Sequence, residues 1–133
     1  MRIEKTALTR TTKLTATTPL EVVERQLLAY NSKDIEALMS TYDIEAEQFT
    51  LHGELLAKGH AELRQRFLAR FSEPDLYARL LSRNVMGNIV IDFELITRNF
   101  SEGIGTLEML CIYEIKNGLI QKASFAIGEK RLN

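Results

Sequence analysis

The chain has a single cysteine, Cys111, so no internal disulfide can form, and without a Cys/His cluster there is no structural zinc site. A lone thiol fits a reducing, cytoplasmic setting. Basic excess is also missing: 17 Lys and Arg against 18 Asp and Glu leave a formal charge of -1. Such a surface has little to offer a phosphate backbone, which argues against nucleic acid as a partner. No apolar run reaches the length needed to cross a bilayer, and the first residues lack a signal peptide's apolar stretch. The expectation is a protein with no membrane partner, no metal and no cofactor.

What is present is the balance of one globular domain: 133 residues, 45% hydrophobic and 26% charged. Met1 to Thr17 stands apart. It is rich in Thr and carries Arg2, Lys5, Arg10 and Lys13 against Glu4. With little apolar periodicity it reads as a flexible N-terminal arm rather than as an amphipathic targeting helix. Residues 18–133 are then the domain.

Thr18-Pro19-Leu20-Glu21 has the pattern of a helix start, with Thr18 and Glu21 as a capping box and Pro19 at the first helical position. Val23, Leu27 and Tyr30 form the inward stripe, and Asp34 caps a second short helix carrying Ile35, Leu38, Met39 and Tyr42. Glu47 to His52 alternates as a half-buried strand, and Ala61 to Phe71 repeats Leu63, Phe67 and Phe71 at helical spacing beside Arg64, Gln65 and Arg70. From Leu76 onward the period is two.

Gly87-Asn88 suits a type II′ hairpin that pairs Met86 with Ile89, Asn84 with Ile91, Ser82 with Phe93 and Leu80 with Leu95. The uniformly apolar set Ile89, Ile91, Phe93 and Leu95 is expected to point inward, which leaves Arg83 opposite Asp92, and Leu81 opposite Glu94, outside. For the second hairpin a three-residue Lys116-Asn117-Gly118 loop pairs Tyr113 with Gln121 and Cys111 with Ala123. Its inner face is Met109, Cys111, Tyr113, Ala123, Phe125 and Ile127, with Leu110, Ile112 and Ile120 outside.

This order of elements resembles the nuclear transport factor 2 superfamily. The strings Val22-Val23-Glu24-Arg25 running to Tyr30-Asn31-Ser32-Lys33-Asp34-Ile35, Gly59-His60-Ala61-Glu62-Leu63-Arg64, and Ile112-Tyr113-Glu114-Ile115 before Asn117-Gly118 carry the likeness. Ala78 to Val85 leading to Gly87-Asn88 and Val90-Ile91-Asp92 is similar to a SnoaL-like, ketosteroid-isomerase-like subgroup. The resemblance spans roughly residues 18 to 128 and implies an α+β, cone-shaped cystatin-like fold, in which a strongly curved antiparallel sheet wraps the helices around a pocket. It also implies a site that this chain does not reproduce. The isomerase's tyrosine falls at Gln26, its carboxylate base near Thr50 and its protonated acid near Cys111, and none of these can perform the same task. Where the subgroup often has histidine, this chain has Phe93.

His52 is the remaining candidate for a general base, because its unperturbed pKa lies near neutrality. Glu47, Gln48 and Thr50 approach the cavity from the same strand, while His60 reads as a solvated first-turn residue. Ser82 and Asn84 are two polar side chains on a face expected to be buried. Together with Gln26, Tyr30, Phe93, Met109, Cys111 and Phe125 they form the expected ligand-binding set. The functional expectation is a small, largely apolar molecule bound in the cone by an isomerase or other proton-transfer enzyme; the alternative is a non-catalytic dimeric interaction or ligand-binding module, in the first case with the cavity filled by its own side chains. The outer sheet face, with Leu110, Ile112 and Ile120, is expected to form a homodimer.

Overall fold

The computed structural model describes residues 17–133, so the arm expected at the N-terminus lies outside the described residues apart from Thr17. Helix α1 spans Pro19–Ser32 and begins with the expected reciprocal cap: Thr18 N–H donates to Glu21 Oε1 at 3.0 Å, and Glu21 N–H donates to Thr18 Oγ1 at 3.2 Å. Lys33, at φ 55°, closes α1 by donating its backbone N–H to the Ala29 and Tyr30 carbonyls. Asp34 caps the short α2, Ile35–Met39, through the Ala37 N–H. After β1 (Tyr42–Thr50) and β2 (Leu55–Lys58) comes α3, Gly59–Phe71. Four long strands follow: β3 (Tyr77–Met86), β4 (Ile89–Phe100), β5 (Gly103–Lys116) and β6 (Leu119–Leu132).

The six strands form one sheet in the order β2-β1-β6-β5-β4-β3, against which the three helices pack. It is mixed rather than wholly antiparallel, because β1 lies parallel to β6, with Gln48 beside Ala123 and Thr50 beside Phe125. The core between sheet and helices gathers Val22 and Val23 of α1, Leu38 of α2 and Leu63 of α3 with Tyr113 and Ile120 of the sheet. Among the described residues no helix is long and apolar enough to cross a membrane.

Three sequence expectations about register are corrected. Asn117 (φ 56°) and Gly118 (φ 74°) make a two-residue turn with Lys116 opposite Leu119, not a three-residue loop. The extra residue sits one step on, at Gln121, between the Ile115–Ile120 and Glu114–Lys122 pairs. That bulge reverses the parity of β6, so Ile120, expected outside, is 0% exposed, while Cys111 pairs with Phe125 and Tyr113 with Ala123. In the β3–β4 hairpin the pairs from Met86–Ile89 to Ser82–Phe93 are as expected, but Leu81 bulges and Leu80 meets Glu94 instead of Leu95.

The third correction concerns which side of β4 is inside. Val90, Asp92, Glu94 and Ile96 are buried, whereas Phe93 is 36% exposed and Ile89, Ile91 and Leu95 are half-buried on the outer face. An apolar set marks the inner face only where the opposite face meets water. Here the outer face of β4 is the more apolar one, and the charge carried inward by Asp92 is answered within the sheet by Arg83.

Candidate functional site

Between the helices and the inner sheet face lies a cavity of about 460 Å³, within the range that suits a small organic ligand. Tyr30 enters it from α1, held edge-on to Phe71 and Phe67 with ring centroids 5.7 and 6.3 Å away. Ile96, Leu107, Met109 and Phe125 supply apolar wall from the sheet.

The wall also carries many polar side chains, and not all of them are satisfied. Three buried side-chain atoms have no hydrogen-bond partner among the described residues: Gln26 Oε1, Tyr42 Oη and Glu94 Oε2. All three residues line the cavity. Folded proteins pair the great majority of their buried polar atoms, so three orphans converging on one void set this cavity apart from ordinary core.

Glu94 is the most chemically informative of them. Its side chain is 4% exposed, and burial, reinforced by the nearby Asp92 carboxylate, raises its pKa from 4.5 to about 7, against smaller lowering effects of Cys111 and Arg83. Asp92, 0% exposed, accepts from Arg83 Nε at 2.6 Å and from Nη2 at 2.8 Å. The two inward carboxylates of β4 therefore have different partners. Asp92 is bound to its guanidinium, and Glu94 has a carboxyl poised to gain or lose a proton near neutrality.

The neighbouring groups are held neutral. Burial raises the pKa of Cys111 well above its usual value, with Glu94 adding to the effect, so the residue is a thiol and not a thiolate nucleophile. Burial likewise raises the pKa of Tyr30, Tyr42 and Tyr113, which stay phenols able to donate. Gln48 and Gln26 lie beside the Tyr42 hydroxyl.

Of the residues expected at the site, Gln26, Tyr30, Met109, Cys111 and Phe125 line the cavity, as do Gln48 and Thr50. Ser82, Asn84 and Phe93 do not. The reversed facing of β4 carries Phe93 outward, together with Ser82 and Asn84, which pair with Phe93 and Ile91. His52 sits in the exposed turn after β1 and is not part of the lining. Glu47 is turned to Lys58, 3.4 Å away. His60 is partly buried rather than fully solvated, with Nε2 2.9 Å from the Tyr42 carbonyl.

Sequence reasoning sets Asp92 and Glu94 outside, although the signal for them is there. Val90-Ile91-Asp92-Phe93-Glu94-Leu95-Ile96 keeps its apolar residues on both parities, the mark of a strand covered on both faces. Two carboxylates in such a strand must find partners or hold protons.

No family model matches the sequence, and neither does any curated protein. Solved structures do match. An uncharacterized cystatin fold protein from Novosphingobium aromaticivorans aligns over 84% of this chain and 99% of its own, at 20% identity and a TM-score of 0.78. Bal32a, from a soil-derived mobile gene cassette, aligns over 84% and 89% at 21% identity and a TM-score of 0.74. A putative polyketide cyclase from Sinorhizobium meliloti aligns over 80% and 94% at 20% identity and a TM-score of 0.66. Proteins described as nuclear transport factor 2-like and ketosteroid isomerase-like in fold share the architecture at lower identity. The six-stranded sheet, the three helices and these likenesses together give the chain the cone-shaped, cystatin-like fold of the nuclear transport factor 2-like proteins.

Proposed function

We propose that the cone binds a small, largely apolar molecule and that Glu94 transfers a proton to or from it. The observation that carries this reading is the Glu94 carboxyl: buried, lining the cavity, with one oxygen lacking a partner and a pKa near 7. A general base works best when its pKa lies near the working pH, and a carboxylate in an apolar wall is a stronger base than one in water. Gln26 and Tyr42 supply nearby polar groups for a carbonyl or hydroxyl of the ligand. The reaction class is proton transfer beside a carbonyl, achieved with a constellation unlike the ketosteroid isomerase set.

Hydrogen-to-deuterium exchange on weakly acidic ketones such as β-tetralone, followed by NMR in deuterated water, tests this directly. The protein should accelerate exchange above buffer, and Glu94→Gln should lose on the order of a hundredfold of that acceleration. Ketone binding without acceleration would leave the alternative, a ligand-binding module with no catalysis.

The homodimer belongs to the same proposal. Leu110 and Ile112 of β5 are joined on the outer face by Ile91 and Phe93 of β4, their direct cross-strand partners. A contiguous apolar area of this kind favours burial against a second copy through a twofold axis. A reducing, cytoplasmic setting accords with the buried thiol of Cys111.

A further inference from the structure

Three guanidiniums line the cavity, those of Arg66 and Arg70 on α3 and Arg98 on β4. One carboxylate serves two of them. Glu73 accepts from Arg98 Nε at 2.7 Å and Nη2 at 3.0 Å, and from Arg70 Nη1 at 2.9 Å. Arg66 has no carboxylate partner among the described residues. Its Nε donates to Oε1 of the buried Gln48 at 3.0 Å, and its two terminal nitrogens make no hydrogen bond among the described residues. Partial burial and the neighbouring Arg70 both lower the Arg66 pKa, as expected for a cation whose local field lacks a compensating anion.

The geometry distinguishes this arginine from an ordinary solvated one. Gln48 is 2% exposed and held in the sheet, so its acceptance from Nε directs the guanidinium and leaves the terminal fork without a hydrogen bond among the described residues. An oriented fork matches a carboxylate in a way that a lysine cannot. Arg66 is itself exposed and so stands at the opening of the cavity, whereas Glu94 is deeply buried. Along β4, Glu94 and Arg98 are four residues apart on one face, about 13 Å at strand rise, with Ile96 between them.

We propose that the cavity's ligand is an organic acid: an apolar body lying along Ile96, Leu107 and Met109, and a carboxylate received at the mouth by the Arg66 fork. The inference rests on the cavity being a ligand site, as proposed above, but not on proton transfer by Glu94. Arg70 and Arg98 add long-range attraction for the anion while remaining tied to Glu73.

Calorimetric titration with naphthoate and with its neutral counterpart acetonaphthone tests it, near pH 6, where naphthoate is ionised and Glu94 is mostly protonated. The wild-type protein should bind naphthoate about tenfold more tightly than acetonaphthone, the scale of one charge-assisted hydrogen-bonded pair. Arg66→Met keeps an unbranched apolar stem and removes the fork. It should bring naphthoate down to the affinity of acetonaphthone and leave acetonaphthone unchanged. Equal affinities in the wild type, or a preference that survives in Arg66→Met, would overturn the carboxylate assignment alone. Failure of both compounds to bind would overturn the cavity reading together with it. Because Arg66 is exposed, its variant should keep the wild-type circular dichroism spectrum, and lost binding in a folded variant then reports on the fork.

Discussion

Arg83 and Asp92 face each other across the β3–β4 hairpin, joined by two nearly parallel hydrogen bonds of 2.6 and 2.8 Å, with the Asp92 carboxylate wholly removed from solvent. Breaking one side of such a pair leaves a buried charge without compensation. Arg83→Met should therefore cost about 3–5 kcal/mol, and replacing both residues by apolar ones should cost much less than the single change. Urea unfolding of the two single variants and the double variant would measure this. A cost below about 1 kcal/mol for Arg83→Met would show that the pair is not the clamp described here.

Asp92 also sets the proton affinity of Glu94, since after burial its negative charge is the next largest influence raising that pKa. In Asp92→Asn the Glu94 pKa should fall below its value of about 7. Carbon-detected NMR titration of the Glu94 carboxyl reads the change. A value that stays put would mean that burial alone accounts for the shift.

The same shift makes stability depend on pH with a definite sign. The folded protein holds the Glu94 proton up to about pH 7, and the unfolded chain releases it near 4.5. Stability from this group is thus complete below 4.5 and declines as pH rises to about 7, by on the order of 3 kcal/mol. Glu94→Gln should abolish the decline, so its unfolding midpoint relative to wild type should be higher near pH 8 than near pH 4. A parallel decline in the variant would assign the effect to another group.

On the outer face, Ile112→Lys should convert a dimer to monomer or weaken it by at least tenfold, because a charge at a buried apolar centre is costly. Sedimentation at tens of micromolar reads the outcome. A monomeric wild type, or a variant as dimeric as the wild type, would dispose of the proposed assembly.

Gly105 answers to a different constraint. A Cβ there would land on the Arg131 carbonyl oxygen, a backbone atom of the neighbouring strand that cannot turn aside. Gly105→Ala should separate β5 from the end of β6 at a cost of about 1–3 kcal/mol. Faster amide exchange should appear from Arg131 to Asn133, while α1 is unaffected. Unchanged exchange would show that the strands tolerate the side chain.

How much of this was legible in the sequence depended on the range of the interactions. Thr18 with Glu21, and Asp34 at its cap, could be read because the residues that form each device lie within three positions of one another. Gly87, at φ 59°, marked its hairpin equally well. The bulges at Leu81 and Gln121 could not be read, since neither residue has a backbone preference that announces one. For the site, Tyr30 and Cys111 follow from helix and strand faces and Gln26 from the position that the family resemblance gives it, so their place in the cavity lining was accessible. Glu94 was hidden by the ordinary rule that carboxylates face water. Arg66 was hidden by its setting among Arg64, Gln65 and Arg70, a run that reads as a solvated helix face until Gln48 is seen to hold it.

The parallel pairing of β1 with β6 has a consequence for how the chain is made. Gln48 waits for Ala123, so the contact spans more than half the sequence, and among the described residues β6 is the one strand that joins the β1–β2 pair to the β3–β4–β5 meander. During synthesis β1 has an unpaired edge until β6 has been made, and a chain stopped at Gly118 holds two separate pieces of sheet among the described residues. Closure then carries a large loop-closure entropy, which slows folding relative to a domain built from local pairings.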